Sequence, residues 1–292
     1  MVDGARPARG GRLLGVARAN PRERFGEIAA GPDAAIDLAE AALWIAAEEY
    51  ADLDVAEYVA RLDALAEVAA PELAQGDDAV ERVATLVEFF RAQGFRGNTQ
   101  DYYDPRNSFL NEVLLRRLGI PITLSLLVQA VGRRLGLPFE GVSFPGHFLL
   151  RCAVPDGLLV IDAFERAILD RDACQRRLDA ALPVPELLEP AVHLRAAPPR
   201  EILARLLGNL KRIYADRGDL ERTLGCCDRI LMLLPDSATE LRDRALVYEG
   251  MSLHSAAAAD LDRALELSPG YPDAAALRAK RDALRAKRGA VH

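Results

Sequence analysis

Three segments between Ile36 and Gln93 carry apolar residues at three- and four-residue spacing, a pattern typical of amphipathic helices. Asp37, Asp54 and either Asp77 or Asp78 stand just ahead of these segments. An aspartate in that place can accept hydrogen bonds from the free N–H groups of the first helical turn. The pattern therefore predicts three capped helices.

Two further helices are predicted after a polar, aromatic segment. Asp104 and Pro105 suit the cap and first position of a helix that runs to Leu118-Gly119. The next helix, from Pro121 to Leu135, has apolar residues all around its axis. A helix of that kind is buried on most sides, so we expect it at the centre of the domain.

The hydrophobic period changes after Gly136. The runs FEGVSF, HFLLRCAV and GLLVIDAF are rich in strand-forming residues and are separated by Pro-Gly and Pro-Asp-Gly breaks that suit tight turns. They predict an antiparallel sheet. ACQRRLDAAL then reads as a helix and AVHLRAA as a last strand, which makes the first domain α+β.

A repeat of 34 residues follows the pair Pro198-Pro199, which we interpret as a linker. Five residues return at this period: Tyr214, Asp228, Arg229, Leu233 and Pro235 recur as Tyr248, Asp262, Arg263, Leu267 and Pro269. This is the period of the tetratricopeptide helix pair. Two repeats and a terminal helix are few for an independent solenoid, so we expect them to pack against the first domain.

Composition narrows the class of protein. Half of the residues are hydrophobic, and the net charge of −7 with a pI near 5.3 argues against a general nucleic-acid-binding surface. No run approaches the ~20 apolar residues of a membrane span. The first 24 residues include six arginines but no signal-peptide core. We expect residues 1–24 to be a disordered arm of a cytoplasmic protein.

The sequence offers no metal or cofactor site. Four cysteines include no CxxC pair and the four histidines lack ligand spacing, so buried free thiols are expected.

One pair of residues suggests catalytic chemistry. A buried helix followed by a strand beginning at His147 and another ending at Asp162 has the chain order of a Cys-His-Asp site. In such a site the histidine is the base, the aspartate orients it, and the nucleophile sits at the start of the helix, where the helix dipole lowers its pKa. A hairpin turning near Pro155-Gly157 would make His147 and Asp162 cross-strand neighbours.

Two long motifs carry a family resemblance. DYYDPRNSFLNEVLLRRLGIPITLSLL and LGLPFEGVSFPGHFLLR closely resemble the transglutaminase-like domain of the SirB-type proteins, which pair this domain with C-terminal tetratricopeptide repeats. The resemblance extends roughly from Arg24 to Lys287. It implies a papain-like, transglutaminase-like α+β fold at 25–197 and an all-α repeat domain at 198–288, without specifying a reaction.

The cysteine nucleophile of the wider superfamily has no counterpart in this sequence. The resemblance places it at or within two residues of Pro121, and none of the residues from Ile120 to Thr123 is a cysteine. Thr123 and Ser125 lie in the first turns of the same helix and are the remaining candidates. A hydroxyl needs a well-aligned base and an oxyanion hole to react. A buried, purely structural place for Ser125 and a structural His147–Asp162 bond are the alternatives.

Polar and aromatic residues ahead of this helix predict the rim of a cleft. They are Asp101, Tyr102, Tyr103, Arg106 and Asn107. Tyrosine and arginine on a loop are residue types that anchor a bound peptide, although helix caps and turns alone account for Asp104 and Asn107.

Three functions remain open at this point. The leading interpretation is a non-enzymatic protein-binding or regulatory protein whose transglutaminase-like cleft has lost its thiol. The second is an amide hydrolase or acyl transferase that uses Ser125 or Thr123 with His147 and Asp162. The third makes the first domain a cap for the repeats, in which case side chains would fill the cleft.

Overall fold

The structure, a computed structural model, describes residues 20–289, with side chains to residue 287. It begins with helix α1, Pro21–Ala30, which the side chain of Asn20 caps by accepting from the N–H groups of Arg22 and Glu23. Residues 20–24 were expected in a disordered arm, and this was wrong, because Asn20 and Pro21 start a helix there. The rest of the predicted arm lies outside the described residues.

Four helices pack around a central one. The four are α2 (Leu38–Ala47), α3 (Val55–Leu73), α4 (Ala79–Ala92) and α5 (Leu110–Arg116), and the central helix is α6 (Pro121–Arg134). Asp37, Asp54 and Asp78 accept hydrogen bonds from first-turn N–H groups of α2, α3 and α4, as predicted. Helix α6 is buried along nearly its whole length and is the central helix.

The helix predicted from Pro105 to Gly119 is interrupted. Pro105–Ser108 is a 3-10 helix, and Phe109 leaves the helical conformation before α5 begins. The carbonyl oxygen of Asn107 accepts from the Ile120 N–H and the Thr123 hydroxyl instead of from a helical partner. Strand β2 (Leu118–Gly119) then pairs in parallel with β1 (Arg96–Gly97), an element that the sequence did not predict.

Four consecutive strands form the antiparallel sheet. They are β3 (Phe139–Val142), β4 (Leu149–Val154), β5 (Gly157–Asp162) and β6 (Ala167–Leu169), in the order β3-β4-β5-β6. The first three were predicted and β6 was missed. Helix α7, Arg171–Ala181, follows the sheet.

The segment predicted as a last strand, around His193, is instead the short helix α8, Pro190–His193, because Pro190 takes the first helical position. Pro198 and Pro199 do not form a linker either. They are the N-cap and first residue of α9, so the repeats begin without a flexible connection.

The repeat region consists of antiparallel helix pairs. They are α9 (Pro199–Asp216) with α10 (Leu220–Leu233), and α11 (Ala238–Gly250) with α12 (His254–Leu267), followed by α13 (Ala274–Gly289). One core joins the first pair to the α+β domain, since Leu203, Leu206 and Leu207 of α9 are fully buried in the same cluster as Leu43 of α2 and Leu127 of α6. The expected packing of the repeats against the first domain is confirmed.

A glycine sets the distance between α6 and β3. A Cβ at Gly132 would lie 2.4 Å from ring atoms of the buried Phe139. Gly132→Ala is therefore expected to lower the free energy of unfolding by about 1–3 kcal/mol through overpacking, although alanine favours a helix by about 1 kcal/mol. Urea denaturation measures the change.

The matched control is Gly208→Ala, in the middle of α9, where an added Cβ meets nothing within 4 Å. This variant should gain stability from helix propensity alone. Equal stabilisation of both variants would contradict the close packing of Gly132 on Phe139.

Candidate functional site

His147 is placed by a tight turn ahead of β4. The His147 N–H donates to the carbonyl oxygen of Phe144 at 3.1 Å, and Gly146 has φ +65°. Proline at the second position of the turn and glycine at the third suit a type II turn, whose third residue needs a positive φ. The imidazole is about four-fifths buried, with 21% of the side chain exposed.

Asp162 is fully buried at the end of β5. Its Oδ1 accepts from the N–H groups of Phe164 and Glu165 at 3.0 and 3.1 Å, and its Oδ2 accepts from Nη2 of Arg177 at 2.9 Å. Burial raises the pKa of this carboxyl group, but His147, the backbone donors and Arg177 together outweigh burial and hold the pKa below its usual range. Asp162 is therefore an anion at neutral pH, and Arg177 balances its charge.

The predicted pairing of His147 with Asp162 exists in the fold. Nε2 of His147 lies 3.0 Å from Oδ2 of Asp162. The two atoms are close enough for an ion pair, but the carboxylate oxygen does not lie in the direction in which an N–H at Nε2 would point, so they do not form a hydrogen bond.

An opening of about 270 Å³ lies beside His147. Ile120, Pro121 and Ile122, at the start of α6, line the same opening. Helix start and histidine therefore share one opening, and the residues of the helix start that line it are apolar.

The two candidate hydroxyls do not line this opening. Thr123 Oγ1 donates to the carbonyl oxygen of Asn107 at 2.7 Å and accepts from the Ile120 N–H at 3.2 Å. Ser125 is fully buried, and its hydroxyl has no hydrogen-bond partner among the described residues. Both side chains are fully buried in the packing around α6.

The predicted rim segment divides into two groups. Tyr102 and Tyr103 line the opening, with their ring centroids 5.3 Å apart. Asn107 is buried and donates to the carbonyl oxygens of Asp101 and Tyr102 at 2.7 and 3.2 Å, so it holds the loop in place. Asp101 is exposed in that loop and does not line the opening.

Arg106 does not reach the opening either. Its guanidinium pairs with the buried carboxylate of Asp104 at 2.8 Å, and Arg116 lies 3.3 Å from the same carboxylate. Arg106 therefore stabilises the loop through Asp104 without lining the opening.

The first repeat helix forms another wall of the opening, which the sequence did not predict. Arg205, Asn209, Arg212 and Ile213 of α9 line the opening. Their spacing of three and four residues marks one helical face, and this was the available signal. What the sequence did not reveal was that α9 packs over the His147 turn.

No group of three or more His, Cys, Asp or Glu side chains suited to a metal ion occurs in residues 20–287. Within the same part of the chain, none of the helices has the length and apolar character needed to cross a bilayer.

Comparisons with known proteins agree with this architecture. The model described as the transglutaminase-like superfamily matches residues 56–208, and a tetratricopeptide repeat model matches residues 210–282. No solved structure gave a significant match.

Similar proteins of known sequence extend along most of the chain. A UPF0162 protein of Xylella fastidiosa strain 9a5c is 41% identical over 249 residues, which cover 84% of this chain and 89% of that protein. Protein SirB1 of Salmonella typhimurium is 28% identical over 234 residues, covering 80% of this chain and 86% of that protein. Human F-box only protein 21 is 32% identical over 161 residues, covering 53% of this chain and 25% of that protein.

Proposed function

We propose that this chain, which belongs to the transglutaminase-like superfamily as a SirB-type protein with C-terminal tetratricopeptide repeats, is a non-enzymatic protein-binding protein. The opening between the start of α6, His147 and α9 holds a segment of a protein or peptide partner. One observation supports this proposal: Ile120, Pro121 and Ile122, the residues at the start of α6 that line the opening with His147, carry no nucleophilic side chain.

The walls of the opening suit a peptide. Tyr102 and Tyr103 are 40% and 55% exposed and offer aromatic faces at the rim. Arg205 and Asn209 supply polar groups to the same opening. Aromatic and arginine side chains around a partly buried cleft are typical of the energetic centre of a protein interface.

The rival hydrolase or acyl transferase needs a hydroxyl at hydrogen-bond distance from the His147 ring. Two observations argue against this enzyme. The Thr123 hydroxyl donates to the Asn107 carbonyl oxygen, and Ser125 is completely buried. The third interpretation, a domain that merely caps the repeats, predicts a filled cleft, whereas about 270 Å³ remains open there.

The proposal is tested with peptides selected from a random display library on the immobilised full chain. Dissociation constants of a selected peptide are measured for the unaltered protein and for Asn209→Trp, whose indole would fill the opening. We expect Asn209→Trp to weaken binding by about tenfold or more. Mass spectra recorded before and after incubation should show an intact peptide.

Ala64→Trp is the matched control, because Ala64 is exposed on α3 and does not line the opening. It should bind like the unaltered chain. Equal affinity of the Asn209→Trp protein would place the peptide elsewhere. Peptide cleavage that disappears in His147→Ala would support the hydrolase instead.

A further inference from the structure

Two guanidinium groups on α9 face the opening without a carboxylate partner among the described residues. Arg205 donates to the carbonyl oxygens of Phe144 and His147, with Nη2 2.6 Å from the His147 oxygen. The Arg212 guanidinium lies 5.9 Å from the centroid of the Tyr103 ring. Each guanidinium brings one positive charge to the opening.

Their positive charge is not balanced within the opening. No aspartate or glutamate is among its lining residues. Asp162, behind His147, is already matched by Arg177. Arg205 is partly buried, and burial lowers the pKa of its guanidinium because charge is costly away from water. Carbonyl oxygens and the Phe148 ring satisfy part of this guanidinium, but they carry no opposite charge, which a bound anion would supply.

The start of α6 adds to the same electrostatic field. Pro121 has no N–H group, and the N–H groups of Ile122 and Thr123 in the first turn have no acceptor within the helix or on the apolar side chain of the N-cap Ile120. Ile120, Pro121 and Ile122 line the opening together with Arg205 and Arg212. The N-terminus of this 14-residue helix therefore borders the opening, and a helix N-terminus favours negative charge.

The size of the opening limits what can enter. About 270 Å³ is less than a typical site for a whole cofactor, and its walls include Phe148, Ile122 and the two tyrosines. A carboxylate on a short aliphatic stem fits such a site. Its oxygens match the planar fork of an arginine, while the adjoining main chain lies along Tyr102 and Tyr103.

We propose that this opening recognises a carboxylate of a bound peptide, held by Arg205 and Arg212. The inference rests on the proposed peptide-binding function and specifies its ligand. The carboxylate comes either from an aspartate or glutamate side chain or from the end of the partner chain.

Three capped tripeptides separate these sources in NMR titrations of the full chain at millimolar concentrations. Acetyl-Ala-Glu-Ala-amide carries a side-chain carboxylate, acetyl-Ala-Ala-Ala carries a terminal one, and acetyl-Ala-Gln-Ala-amide carries neither. We expect at least one acidic peptide to bind about tenfold more tightly than the glutamine peptide. The preferred acidic peptide identifies the source.

Arg212→Gln should abolish that preference. Arg212 is exposed and makes no ion pair among the described residues, so this variant should fold normally. Arg278→Gln, an exposed arginine on α13, is the matched control and should retain the full preference. Inorganic phosphate serves as a competing probe.

Equal binding of the glutamine peptide, or no binding of any tripeptide, would overturn the carboxylate assignment. A preference unaffected by Arg212→Gln, or tighter Arg212-dependent binding of phosphate than of either acid, would also overturn it. If the library-selected peptide still binds more weakly to Asn209→Trp, these results would leave the proposed peptide-binding function intact. If Asn209→Trp binds that peptide with unchanged affinity, the proposed function would be wrong as well.

Discussion

A chain that ends at Ala197, before α9, is expected not to fold. Five α9 side chains are at most 1% exposed and belong to the core of the first domain: Ile202, Leu203, Leu206, Leu207 and Leu210. Burying one such side chain contributes about 1.5–3 kcal/mol. Their summed loss is comparable to the total stability of a domain, about 5–15 kcal/mol.

Removing α9 would also remove Arg200, whose guanidinium bonds to Asp33 and to the carbonyl oxygens of Ala29 and Gly31. Circular dichroism and a thermal melt test the expectation: the truncated chain should lack a cooperative transition. A chain ending at Asp236 keeps α9 and α10 and is the control, since α11 to α13 bury their apolar residues mainly in separate clusters. It should melt cooperatively, and a sharp transition in the shorter chain would contradict the shared core.

Asp162→Asn is expected to lower the free energy of unfolding by about 2–3 kcal/mol at neutral pH. The asparagine oxygen can still accept from the N–H groups of Phe164 and Glu165. Its NH2 group must then point a donor at the guanidinium of Arg177, which can only donate. The Arg177 side chain is 29% exposed, so water partly solvates its unpaired charge and keeps the loss in this range.

The effect of Asp162→Asn should depend on pH. The pKa of Asp162 in the folded chain is below its unfolded value of about 3.9. The ionised carboxylate therefore contributes its full stability above that value and loses it as the pH falls through the folded pKa. Chemical denaturation at several pH values should show the difference between the two proteins narrowing below about pH 4.

Asp156→Asn, an exposed position in the same hairpin, is the control and should change stability little at any pH. A constant difference between the unaltered protein and Asp162→Asn across the acid range would show that the Asp162 charge is not what stabilises the fold.

Local signals in the sequence predicted most of the elements. The caps at Asp37, Asp54 and Asp78 and the all-round apolar pattern of α6 depend on neighbours a few residues away. The His147–Asp162 contact was also predictable, because one hairpin of antiparallel strands brings the two residues together.

Features that depend on residues far apart in the chain could not be predicted from the sequence. The break at Phe109 arises because the Asn107 carbonyl bonds to residues 13 and 16 positions later. Arg205 reaches the site only because its helix packs over a turn 58 residues earlier in the chain. Sequence spacing could mark the face of α9 that carries Arg205 and Arg212, but not what lies opposite it.

A crystal structure of the full chain with a library-selected peptide would show directly where the partner binds. We expect an intact peptide in the opening between the start of α6, His147 and α9, with a carboxylate at Arg205 and Arg212. A peptide bound only at another surface, or an acyl group attached to Thr123 or Ser125, would contradict it.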